Sequence, residues 1–432
     1  MSELQNKTCL VFDHGLFTTL AERLARSDGF GRVLYHSPFE IGFSTLNQGI
    51  IGYGLENVER CNDIWRVKDE VDVWIFPDIE HSGLQLELVS QNRAVWGSRR
   101  GDSLELFREP FHETLGQLGL DVPKFKICKG MTELRAFLKD NEGPFYIKIS
   151  RWRGSLETAK FRSWKLDEGL LDLWAVKFGP AKEIVPFMVF DPIETPLEIG
   201  GDTYGIDGAW PDEMLHGDEN KDKAYISTVT KRGDMPPQIQ DVLDAFAPVL
   251  KKFSYRNFWS MEVRVKDDRS YFGDPTCRAP MPATPSQLEN VSNLPRVIYE
   301  GAHGELVQPE YEKPFTCEVI VNMKGDRHAW GVAEIPDELK RWLKLPNSCT
   351  INGLRCFPAD EQHGEAIGWM VAIGDTVEGV IETMKGQIKL LPDGMSADVQ
   401  PLGELLEVVS EGEKQGIEFA DKIPKPEVVL ES

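Results

Sequence analysis

The stretch Phe258–Pro280, FWSMEVRVKDDRSYFGDPTCRAP, decides how this chain is read. Two apolar runs flank a polar connection, so it reads as two β-strands joined by a short turn. Glu262 lies inside the first strand, Asp274 ends the second, and Arg278 follows four residues later. An acid inside an apolar strand is costly to bury unless something compensates its charge. Two carboxylates on adjacent strands, with a cation beside them, are suited to holding magnesium against a polyphosphate.

Upstream, PFYIKIS reads as a strand with Lys148 at its centre, followed by RWRGSLETAKF. Taken alone, Lys148 reads equally as a solvent-facing residue of an edge strand. With Ser150, Arg153, Gly154 and Ser155 close behind it, the segment offers a cation, hydroxyls and backbone N–H donors, which are phosphate-holding groups. The GxxxxGK[ST] spacing is missing, and no GxGxxG opens the N-terminal part. Next come the strands KEIVPFMVF and PLEIGGDTYGIDG. The backbone groups of Pro186, Phe187, Met188, Val189 and Phe190 are expected to be free to read an adenine edge. Glu198 and Asp202 stand at i and i+4, on one face of a strand. They suit a ribose diol, or simply an acidic solvent face. Residues 211–235 are polar and are expected to form a mobile loop, with Lys221 and Lys223 available to an anion. Gln238–Phe253 is an amphipathic helix with Val242, Phe246 and Val249 as core.

The first hundred residues alternate between strands and helices. Thr8–Phe12, RVLYHSP, DIWRV, VDVWIFPD and AVWGS are expected as apolar sheet segments, with a helix in FTTLAERLARS. Buried strands punctuated by helices predict a parallel sheet. Ligands of such sheets gather at the C-terminal strand ends, where Asp13, His14, Gly15, Asp78 and His81 lie. Each alone reads as a cap or turn residue. Together they form a candidate substrate rim. After Pro285 the sequence predicts a short helix Ser286–Asn293 stopped by Pro295, a strand in PFTCEVIVNM and a helix Asp337–Leu343. A strand–turn–helix follows in GWMVAIGDTVEGVIETMKGQIKLL, then a helix in GELLEVVSEGEKQGIEF and a loose end, KIPKPEVVLES.

Composition bounds the function. The 432 residues predict two to four domains. A hydrophobic content of 41% with 10% aromatics is that of a globular chain. The net charge of −22 argues against general nucleic-acid binding. The seven cysteines are scattered with no CxxC pair, which argues for reduced thiols rather than structural zinc. The N-terminus lacks a basic region followed by an apolar core, and no apolar run is long enough to span a membrane. A cytoplasmic location is expected, in the host cytoplasm if the chain is viral.

The order of these pieces resembles the ATP-grasp ligases, and among them the phosphoribosylamine–glycine ligase family with its phage- and archaeal-type relatives. VWGSRRGDSLELFREPFHETLGQLGLDVP looks like the family's helix leading into the nucleotide-binding region. YIKISRWRGSLET is similar to its lysine strand and phosphate loop, PLEIGGDTYGIDG to the strand after the adenine hinge, and MEVRVKDDRSYFGDPTCR to its metal-binding strand pair. GWMVAIGDTVEGVIETM and GELLEVVSEGEKQGIEF are similar to its C-terminal segment.

The resemblance implies an α/β chain, α+β in the nucleotide-binding part. An N-terminal Rossmann-like parallel-sheet domain (1–100) would precede an ATP-grasp domain (101–310, mobile subdomain about 143–205) and a small C-terminal α+β domain (311–432). It implies ATP with Mg2+, two ions when fully occupied, and small carboxylate and amine substrates. A carboxylate attacks the γ-phosphate, and an amine then displaces phosphate from the acyl phosphate. Lys148, Ser150, Gly154 and Ser155 would meet phosphates, Pro186–Phe190 adenine, and Glu198 the ribose. Glu262, Asp274 and Thr276 would hold metal, and Arg278 would steady the acyl phosphate. A homodimer is common for the fold.

Three positions depart from the family pattern. Asp274 stands where Glu is usual, Thr276 where Asn is usual, and His112 where a lysine is usual. Two further readings stay open: a non-catalytic nucleotide-binding interaction protein, and a bicarbonate-dependent carboxylase-type subunit.

Overall fold

The computed structural model describes residues 3–38, 50–141, 143–150, 158–193, 198–221, 223–266, 269–324, 330–357 and 366–414, with 408–413 described by backbone alone. The chain divides into two units. One comprises Met1–Asp102, Pro196–Glu262 and Thr276–Ser432, the other Ser103–Thr195 and Val263–Pro275.

The first unit opens with a parallel sheet of β1 (Thr8–Phe12), β2 (Arg32–His36), β3 (Val58–Arg60), β4 (Val73–Ile75) and β5 (Ala94–Trp96), in the order β3-β2-β1-β4-β5. Leu10, Val11, Leu34, Trp74 and Ile75 are fully buried, as expected of strands covered on both faces. Because β1 and β4 are neighbours, the turns that follow them emerge side by side. DIWRV is not a sheet segment but the helix Ile64–Val67, capped by Asp63, whose Oδ1 accepts from Trp65 N at 3.1 Å.

The second unit holds an antiparallel sheet of β6 (Phe125–Lys129), β7 (Phe145–Ile149), β8 (Thr158–Phe161) and β9 (Pro186–Phe190), ordered β6-β9-β7-β8. Helices Gly130–Asp140 and Trp164–Phe178 contribute Leu134, Leu138, Leu171 and Trp174 to a core with Ile147, Phe187 and Val189. Alternation along β7 buries Phe145, Ile147 and Ile149 and leaves Tyr146 and Lys148 on the other face. Lys148 is not on an edge strand, because β7 lies between β9 and β8. The backbone of Phe187–Phe190 is not free either, because it is paired on both sides, to β6 and to β7, while Pro186 pairs with β6 alone.

The chain continues in the strands β10 (Glu198–Ile206), β11 (Glu213–Asn220), β12 (Ala224–Lys231), β13 (Arg256–Lys266), β14 (Arg269–Thr276) and β15 (Phe315–Met323), all of the first unit except Val263–Pro275. Three short strands follow, β16 (Gly331–Ala333), β17 (Leu343–Lys344) and β18 (Cys349–Ile351), then β19 (Leu354–Phe357), β20 (Ala366–Gly374) and β21 (Met395–Ser396). The large sheet runs β14-β13-β10-β11-β12-β15-β20-β17, with β21 on β15; β16, β19 and β18 make a separate small sheet. The chain leaves the first unit within β13, after Glu262, and returns at Thr276.

The expected loop at 211–235 is instead the hairpin β11–β12, registered from Glu213 opposite Lys231 to Asn220 opposite Ala224. Its polar side chains misled the reading: His216, Asp218, Ser227 and Thr228 are buried. Pro295 does not stop a helix but sits in the first turn of Leu294–His303, where its missing N–H costs nothing. The helix before it is Thr284–Asn290, and the later short helix is Asp337–Lys340. Helix Pro237–Phe253 buries Val242 and Phe246, with Val249 only half-buried.

Fully buried Glu289 ties three segments of this unit together. Arg26 reaches its two oxygens at 2.6 and 2.9 Å, Arg341 Nε donates at 2.8 Å, and buried Lys344 completes the set. All seven cysteines are buried free thiols. Among the described residues no helix is long and apolar enough to cross a membrane.

Candidate active site

The first unit contains a cavity on the large sheet lined by Glu198 of β10, Glu219 of β11, Glu262 of β13, and by Lys221, Thr276 and Arg278. Strand alternation brings them together. Gly200 and Asp202 share a face with Glu198, and Gly217 with Glu219, and all line the same cavity. Burial raises the proton affinity of Glu262 well above the ordinary range. The neighbouring Glu198 and Glu219 push it the same way and Lys221 opposes them. Three acids around one buried position repel one another until a cation or a proton relieves them. Behind them, Tyr225 donates to Oδ2 of Asp202 at 2.6 Å. Burial raises Asp202 to about 6, against the stabilising hydrogen bonds from Tyr225 and Ser260.

The rim predicted at the parallel sheet is assembled in the same unit. Asp13 fastens the turn after β1: its Oδ2 accepts from Phe17 N at 2.7 Å and from Tyr35 Oη at 2.5 Å. Gly15 takes a positive φ of 91°, which lets the chain turn there. Nδ1 of His14 lies 3.5 Å from Oδ2 of Asp78, and its Nε2 contacts Nε2 of His81. Ala279 N donates to Pro77 O at 2.8 Å, which brings Arg278 Nε to 3.8 Å from Oδ1 of Asp78. Arg278 thus belongs both to the cavity wall and to the rim.

In the second unit, Asp274 is bonded through one oxygen to Lys148 and through the other to Arg108. Burial would raise its pKa, but the two cations hold it far below the usual carboxylate range. Ser150 Oγ accepts from Arg108 N at 3.2 Å, fixing the start of helix Arg108–Gln117 beside the end of β7. Lys148 also stands over the Phe190 ring at 5.8 Å. His112 is buried, donates Nδ1–H to Arg108 O at 2.7 Å, and packs against Phe125 and Phe190. Burial lowers its pKa, which disfavours a cation at this position.

Lys148, Asp274 and Ser150 therefore come together in one unit, and Glu198, Asp202, Glu262, Thr276 and Arg278 in the other. Gly154 and Ser155 lie outside the described residues. Lys223 pairs with Glu404 at 3.8 Å, whereas Lys221 lines the cavity. Arg108 and Glu219 were missed. Glu219 was hidden by reading its strand as a loop, although its two-residue spacing from Gly217 was available. Arg108 gave no signal beyond its place at a helix start.

The sequence matches no family model and no curated protein to a significant degree. Its structure matches solved ones over nearly the whole chain. The class so defined is the ATP-grasp fold, a mixed α/β chain with one parallel sheet and further antiparallel sheets. Phosphoribosylamine–glycine ligase from Thermotoga maritima aligns with a TM-score of 0.64 at 14% identity, covering 90% of this chain and 98% of that one. Biotin carboxylase from Campylobacter jejuni, in a nucleotide complex, gives 0.62 at 12% identity, over 90% and 92%. N5-carboxyaminoimidazole ribonucleotide synthetase from Thermotoga maritima gives 0.58 at 14%, over 91% and 100%.

Proposed function

We propose that this chain is an ATP-dependent carboxylate–amine ligase working through an acyl phosphate with Mg2+. The observation that carries this reading is the cavity in which Glu198, Glu219 and Glu262 stand with Lys221 and Arg278. Its donor set is all oxygen, from carboxylates and the Thr276 hydroxyl, which suits magnesium and not zinc. Among the described residues no three or more His, Cys, Asp or Glu side chains form a metal-holding group. Magnesium does not require one, since it keeps waters and substrate phosphates in its shell. Bound by Glu262 and its neighbours, it would neutralise phosphate charge.

The protein side chains supply positioning. Lys148 and Arg108 both stand on the carboxylate of Asp274, a pair of cations suited to phosphate oxygens. The guanidinium fork of Arg278 matches a carboxylate or an acyl phosphate. Glu198, on the cavity wall, is the group for a ribose diol, and Asp202 is held by Tyr225.

The test uses ATP, Mg2+ and hydroxylamine with a panel of carboxylic acids. The acid that yields a hydroxamate with ADP is the substrate, and Lys148→Ala and Asp274→Ala should abolish the product. Unchanged turnover in both variants would sink the assignment. A second reading, bicarbonate as the acid, is favoured by the comparable alignments with biotin carboxylase and the carboxyaminoimidazole synthetase. ADP release that needs bicarbonate and no organic acid would select it.

A further inference from the structure

The ligase reading leaves one cluster unused. His81, His14 and Asp78 form a line at the C-terminal ends of β1 and β4, in the order Nε2 to Nε2, then Nδ1 to Oδ2 at 3.5 Å. Exposure grades along it: Asp78 and His14 are buried at 1% and 3%, whereas His81 is partly open. Nδ1 of His81 makes no hydrogen bond to a described residue. Glu80, just before it, has a φ of 81°, a strained value for a residue with a side chain. Arg278 joins the far end of the line to the cavity wall.

Resting on the ligase reading, we infer that His81 is the base that takes the proton of the incoming amine, and that His14 and Asp78 position it and receive the charge. A primary amine arrives as an ammonium ion at neutral pH. Its proton passes to His81 Nδ1 while the Nε2–H of His81 moves to Nε2 of His14, whose Nδ1–H points to Asp78. The freed lone pair forms the C–N bond at the acyl carbon. The C–O bond to phosphate breaks with its electron pair on the phosphate oxygen, which takes the second N–H proton.

The surroundings give the relay its direction. Burial works against a charge on His14, but Asp78, Asp13 and Glu80 favour it, and its pKa is raised overall. Burial, His14 and His36 together hold His81 down to about 4, with Asp78 opposing them. Arg60 and Tyr35 act on His36 and Asp13 and not on His81 itself. A proton taken at His81 therefore settles on His14.

Two nucleophiles test this. Hydroxylamine is uncharged at neutral pH and needs no base, whereas primary amines do. With the acid found by trapping, a panel of amino acids and simple primary amines identifies the amine, and the ratio of amide to hydroxamate formation is measured. His81→Asn should lower that ratio by about 100-fold at neutral pH, with the deficit closing at alkaline pH. Asp78→Asn, which keeps an acceptor for Ile79 N, should move the acid limb of the ratio to lower pH, because His14 then holds a proton less tightly. Equal losses for both nucleophiles, or an unmoved ratio in both variants, overturn the relay. Absence of any hydroxamate from the unmodified chain overturns the ligase reading itself, a different result from hydroxamate formed with an unmoved ratio.

Discussion

The ammonium of Lys148 rests on Oδ2 of Asp274, 126 residues further along the chain, while Arg108 occupies the other oxygen. Removing Lys148 leaves Asp274 paired with Arg108, so the fold should survive. Lys148→Ala should melt within a few degrees of the parent, yet lose nucleotide-dependent ADP release by about 100-fold or more. Coupled-assay rates and calorimetric ATP titration read the two effects separately.

Burial and its acidic neighbours shift Glu262 toward its protonated form. Glu262→Gln keeps the shape and removes a group that repels Glu198 and Glu219. Without divalent ions this variant should be at least as stable as the parent. Mg2+ with ATP should raise the parent's melting temperature, as a ligand of the native state must, and should raise the variant's much less. Equal shifts in both proteins would remove Glu262 from the metal set.

Glu289 is a buried anion held by Arg26, Arg341 and Lys344. Glu289→Gln leaves the buried Lys344 without its counter-charge, and such a loss costs about 3–5 kcal/mol. Chemical denaturation should show it, and adding Lys344→Met should recover part of the loss. A single variant as stable as the parent would show that this cluster does not fasten the helix to the sheet.

Glu318 carries a stability signal that depends on pH. Burial raises it to about 8, against the hydrogen bond that its Oε1 accepts from Ser286 N at 2.8 Å. An unfolded glutamate titrates near about 4.3, so the protonated form favours the fold. Its contribution is complete below about pH 4 and is lost as pH rises through about 8. Asp202 and Asp218, raised by burial to about 6 and about 7, act with the same sign. Glu318→Gln cannot ionise. Its melting temperature should match the parent's in acid and exceed it above pH 8, by on the order of a few kcal/mol in stability.

Much of the site was legible because it rests on alternation. The two-residue period around Glu262 marks an acid facing inward, and the four-residue spacing of Glu198 and Asp202 puts both on the cavity face. The continuous apolar runs of β1 and β4 similarly reveal a sheet covered on both sides. The hairpin β11–β12 escaped because its inward residues are His216, Asp218, Ser227 and Thr228, and buried polarity looks like surface until partners are known. Arg108 escaped for a related reason. Its partner Asp274 is remote in sequence, and no local pattern announces a long-range ion pair.

The burial of all seven thiols has a practical side. Cys128 and Cys349 are pushed by burial to about 11, so they are weak nucleophiles as well as hidden ones. The folded surface thus offers no sulfur for maleimide chemistry. A single cysteine introduced at an exposed position such as Leu173, which is 50% open, becomes the sole addressable label without stripping out the native ones. Pairs of such labels, one on each unit, would let fluorescence report distances during turnover in an otherwise unaltered chain.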